Sequence, residues 1–169
     1  MKPLRVALAS LVILLATVGT AAAGENRNFV AHLSGDEEVP AVATLAQGQA
    51  IFHLSKDGTQ LHFKLIVANI ENVVASHIHL APAGVNGAVV AFLYGPAPTG
   101  GGRTDGVLAE GTITSADLIG PLAGHPLGDL LAAMKAGNTY VNAHTNDGVA
   151  PTNTGPGDFP GGEVRGQIR

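Results

Sequence analysis

Apolar and polar positions alternate along this chain in short runs, each interrupted by Gly, Pro, Asn or Asp, which is the pattern of brief strands joined by turns. The clearest run is 49–68, where Asp57-Gly58 separates two alternating segments and reads as a β-hairpin with a two-residue type I′ turn. That turn sets Leu54 opposite Leu61 and Phe52 opposite Phe63 on one face. The other face then carries His53 opposite His62, beside Ser55 and Lys64. Further strands are expected over 29–34, 73–80, 88–94, 107–112, 139–145 and 163–168, which makes about eight and predicts an all-β sandwich or barrel.

One segment changes period. Over 126–136, Leu127, Leu130, Leu131 and Met134 follow helical spacing, with Pro126 at the start and Gly137 just past the end, so a short amphipathic helix is expected there. A helical turn over 115–118 would be capped by Thr114, with Asp117 three residues on. The stretches 95–106 and 147–162 are rich in Gly and Pro and nearly devoid of large apolar groups, and they read as surface loops of mobile or functional character.

The first residues form a different pattern. Lys2 and Arg5 precede the apolar run 6–18, and Ala21-Ala22-Ala23 follows as a small-residue cleavage site. The expectation is a signal peptide over 1–23, cleaved near Ala23, and a single domain over 24–169 that is secreted or periplasmic. No later stretch approaches the ~18 apolar residues of a membrane span.

Composition narrows the chemistry. Nine Lys+Arg against 13 Asp+Glu leave no basic field for nucleic acid or anionic lipid. With 46% hydrophobic and 13% charged residues the chain can bury a core, and 23 Gly with 10 Pro suit turns better than a helical bundle. Cysteine is absent, so disulfides, thiol catalysis and thiolate metal sites are excluded. Any metal would be held by His, carboxylate or backbone oxygen.

Seven histidines, at 32, 53, 62, 77, 79, 125 and 144, are the conspicuous donors. His77 and His79 are two apart on one expected strand and share a face opposite to Ser76, Ile78 and Leu80. On the strand around Asn142, Val141 and Ala143 take the apolar face, leaving Tyr140, Asn142 and His144 on the other. If those strands are neighbours, His77, His79 and His144 converge as a three-imidazole set suited to copper or zinc. The alternatives are a structural role, with the same rings hydrogen-bonding backbone to close the loop 81–87, and a different ligand. Asp147, Asp158 and Glu163 are candidates for a carboxylate near His144, whereas Asp36-Glu37-Glu38 lacks a calcium-loop pattern and reads as a solvated turn. No nucleophile elbow, P-loop or dinucleotide fingerprint occurs.

The strings Leu33-Ser34-Gly35-Asp36-Glu37-Glu38-Val39-Pro40, Ser76-His77-Ile78-His79-Leu80-Ala81-Pro82-Ala83-Gly84-Val85-Asn86-Gly87, Asn142-Ala143-His144-Thr145 and Gly161-Gly162-Glu163-Val164-Arg165-Gly166-Gln167-Ile168 resemble, in that order, the motifs of the CHRD (chordin) domain family. Ala81 and Ala88 stand where that family more usually has glycine and proline. The resemblance implies an immunoglobulin-like β-barrel. It also implies an exported single-domain protein of the microbial type, or a protein-recognition module by analogy with the animal members. The function expected is a non-enzymatic binding domain, with copper or zinc on His77, His79 and His144. A metalloenzyme using the same histidines, similar to the copper site of the Cu/Zn superoxide dismutases, is the alternative, and metal-independent protein recognition is a third. Among partners, a metal ion and an extracellular or periplasmic protein are expected, and nucleic acid is not.

Overall fold

The computed structural model describes residues 26–169. The expected signal peptide, 1–23, lies outside them. Eight strands, β1 (Asn28–Ser34), β2 (Gln47–Leu54), β3 (Leu61–Glu71), β4 (Val73–Leu80), β5 (Ala88–Tyr94), β6 (Arg103–Ile113), β7 (Thr139–Thr145) and β8 (Val164–Gln167), form one antiparallel sheet in the order β5-β4-β7-β8-β1-β2-β3-β6. The two end strands, β5 and β6, approach each other, so the sheet curls into a nearly closed barrel. The all-β sandwich or barrel expected from the pattern is what forms.

Alternation builds the core. Ala50, Phe52 and Leu54 of β2, Leu61, Leu65 and Val67 of β3, Ile78 of β4, Val141 and Ala143 of β7 and Val164 with Ile168 at β8 are all buried in one cluster. The helix α1 (Leu127–Lys135) adds Leu127, Leu130, Leu131 and Met134 to it. It ends in a Schellman arrangement, with Gly137 at φ 68°, its N–H on Met134 O and the Asn138 N–H on Ala133 O. The turn Ser115–Asp117 carries the capping box of Thr114 and Asp117 that the sequence suggested.

Three readings are corrected. The hairpin register is as expected, with Phe52 opposite Phe63 and His53 opposite His62, but the turn is not type I′. Only Gly58 has positive φ, and the Gly58 N–H bonds Ser55 O. The Asp57 carboxylate accepts from Ser55 Oγ, Thr59 N and Thr59 Oγ1, which holds a longer loop centred on the same point and so keeps the register. Strand β6 begins at Arg103, inside the expected loop, because β3 extends to Glu71 and pairs with it past two irregularities. Finally, Phe63 is only partly buried at the margin of the core.

Candidate metal centre

Strands β4 and β7 are neighbours, as the histidine argument required. Their register pairs Ala75 with His144, His77 with Asn142 and His79 with Tyr140, so His77 and His144 are diagonal neighbours on one face. On its other side β4 meets β5 through two irregularities, between Ser76 and His77 and between Ile78 and His79. They seat Phe92 opposite His77, where the two rings meet edge to face at 4.6 Å.

One ring nitrogen from each of His77, His79 and His144 lies within 4.8 Å of the others. The hydrogen bonds fix which nitrogens these are. His79 Nδ1 donates to Gly87 O at 2.9 Å and His144 Nδ1 donates to Pro160 O at 2.9 Å, so both rings turn an unprotonated Nε2 inward. His77 Nδ1 faces His144 Nε2 at 3.1 Å and donates to it. His79 Nε2 is buried and has no hydrogen-bond partner. A buried, unprotonated imidazole nitrogen facing two others is a lone pair kept available without a proton to hold. Tetrahedral Zn²⁺ with nitrogen ligands at ~2.0–2.1 Å spaces those nitrogens about 3.3 Å apart. The His77–His144 separation of 3.1 Å is close to that spacing, and an ion bound there would take the place of the proton His77 Nδ1 shares with His144 Nε2.

Electrostatics agree with neutral rings. Burial, with His144 and His79 close by, pushes His77 down to about 4. Burial also lowers His79 and His144, outweighing the opposite effect of Gly87 and the nearby Asn142 side chain at His79 and of Pro160 at His144.

The face that carries the histidines is covered in part: His79 is buried and His77 and His144 are half-buried. On the same side Asn142, Glu163, Arg165, Asp158 and Glu38 are all buried. Arg165 is 1% exposed; it reaches Val85 O and Asn86 Oδ1, at 2.9 and 3.1 Å, and lies over the Tyr140 ring. With Gln167 bonding Ala81 O, it fastens the loop 81–87 to the barrel. The Glu163 carboxylate accepts from Thr44 Oγ1, Thr145 Oγ1 and Gly157 N. Asp158 accepts from Thr154. Asp147 accepts from Val149 N, and none of the three carboxylates considered beside His144 is in the converging set; each serves its own loop instead. Glu38, read as part of a solvated turn, is buried against Gly162, and burial pushes its carboxyl up to about 7 despite nearby Arg165. Period two does place Arg165, Gln167, Asn142 and Tyr140 on the outward face. What it lacks is any sign of the loops that roof them.

A family model, that of the CHRD domain, matches residues 29–168. No curated protein and no solved structure matches the chain.

Proposed function

The chain belongs to the CHRD domain family, and from that premise we propose that it is an exported, non-enzymatic binding domain whose ligand is a copper or zinc ion held by His77, His79 and His144. The observation that carries this reading is the convergence of one ring nitrogen from each histidine to within 4.8 Å, with the buried Nε2 of His79 making no hydrogen bond while its Nδ1 is held by Gly87 O. A purely structural histidine gains nothing from that arrangement, because an unsatisfied buried acceptor costs about 1–3 kcal/mol. A metal repays it, and carbonyls on the distal nitrogens are the usual support for imidazole ligands. Copper is favoured over zinc by the general affinity order of nitrogen sites. Export through residues 1–23 suits a site built without thiols.

For the enzymatic alternative, the buried carboxylates of Glu163 and Asp158 are taken up by the loops and so do not serve as general bases. Calorimetric titration of the metal-stripped protein with Cu²⁺ and Zn²⁺ tests the proposal. One tight equivalent is expected, lost in His79→Ala and His144→Ala variants that retain the wild-type circular dichroism spectrum. Tight binding that persists in both variants, or its absence in the wild type, overturns it.

A further inference from the structure

A second pair of histidines sits far from this centre in the sheet order, on β2 and β3. His53 and His62 are directly opposite each other, both exposed. Each ring is held from the far side. His53 Nδ1 donates to Asn28 Oδ1 on β1 at 2.7 Å, and His62 Nδ1 bonds Thr112 Oγ1 on β6 at 2.9 Å. The register makes these four residues one row across four adjacent strands: Asn28, His53, His62, Thr112.

The row has a geometric consequence. In an imidazole, Nδ1 and the Cδ2–Nε2 edge lie on opposite sides of the bond to Cβ. Because both Nδ1 atoms are drawn outward, to β1 and to β6, the two Nε2 edges turn inward, toward each other over the β2–β3 seam. Directly opposed residues have Cβ atoms about 4.5–5.5 Å apart, a span that two imidazoles can close on a single ion. At His53, donating Nδ1–H to the Asn28 oxygen leaves Nε2 as the lone-pair nitrogen; at His62 the Thr112 hydroxyl accepts from or donates to Nδ1 and in either role holds the ring in place. In the next row the Lys64 ammonium is paired with Glu110, which offsets its repulsion of a cation.

We propose that His53 and His62 form a second site for a divalent, imidazole-seeking cation. It is an exchangeable two-nitrogen surface chelate that prefers Cu²⁺ to Zn²⁺ and completes its coordination with water. This site is independent of the three-histidine reading and stands or falls separately.

The test is nuclear magnetic resonance of the metal-stripped protein during addition of Cu²⁺, following the histidine Cε1–H signals individually. Paramagnetic broadening of His53 and His62 together is expected, at higher metal concentration than any broadening of His77, His79 and His144. In His53→Gln the effect at His62 disappears, and in Asn28→Ala the affinity of the pair falls about tenfold, the usual loss when a ligand's outer partner is removed. These positions are exposed, so the variants keep the wild-type thermal midpoint. Broadening at His62 that is unchanged in His53→Gln, or no broadening of either ring after several equivalents, overturns the proposal. Failure of the three-histidine centre would show at His77, His79 and His144 alone.

Discussion

The guanidinium carbon of Arg165 lies 3.4 Å from the centroid of the Tyr140 ring, and Tyr140 in turn stacks on His79 with centroids 4.7 Å apart and planes 10° from parallel. Since β7 runs between β4 and β8, His79 and Arg165 approach Tyr140 from opposite strands, and the three form a ladder across the roofed face. Lysine cannot reproduce it, because it lacks the planar fork that stacks on a ring while bonding Val85 O and Asn86 Oδ1. Arg165→Lys should cost about 1–3 kcal/mol in urea unfolding, the cost of buried groups left unpaired. It should also free the loop 81–87, seen as faster amide exchange at Gly87.

Acid should destabilise the metal-free protein through the histidines. His77 titrates at about 4 when folded and near 6.5 when unfolded, so the unfolded chain binds more protons between those values. This contribution is fully present above pH 6.5 and is lost as the pH falls toward 4. Thermal midpoints measured across that window should decline on acidification, and His77→Gln should decline less steeply.

Glu38 works in the opposite direction. Its carboxyl titrates at about 7 in the fold against 4.5 as the reference, so the native state holds the extra proton and stability falls as pH rises from about 4.5 to 7. Glu38→Gln keeps the shape without the charge. It should raise the thermal midpoint at pH 8 and leave it nearly unchanged at pH 4. An equal shift at both values would show that the carboxyl does not titrate in this range.

The hairpin partners differ in weight. Phe52 is completely buried, and its replacement by Ala should cost about 3–5 kcal/mol. Phe63, directly opposite, is only partly buried and lies against the bare Cα of Gly111, where an added Cβ would sit 2.7 Å from the ring. Phe63→Ala should give the smaller loss in the same denaturant titration.

Most of the barrel is legible in the sequence because one buried face and one outward face leave a period of two. The bounds of β4, β5 and β7 follow from their punctuation, and the convergence of His77, His79 and His144 follows once β4 and β7 are paired. The hairpin register survived an error in turn type, since Asp57 centres a longer loop on the same point. Long-range cover is what period does not encode. Nothing local distinguishes Glu38 from its exposed neighbours Asp36 and Glu37, and Arg165 reads as an ordinary surface charge until the loop 81–87 is folded over it. The extension of β6 was hidden because Arg103, Thr104 and Gly106, which pair with β3, follow a run of glycines that reads as loop.

The Glu163 carboxylate binds one residue from each of three separate stretches of chain: Thr44 between β1 and β2, Thr145 at the end of β7, and Gly157 in the connection to β8. None of the three can lift away without leaving this buried acid short of a donor, so these segments should open as one cooperative unit. Amides at Ala46, Gly157 and Phe159 should therefore exchange with solvent deuterium at a common opening free energy. Glu163 thus acts as a knot that ties three distant stretches of chain into one unit of local unfolding.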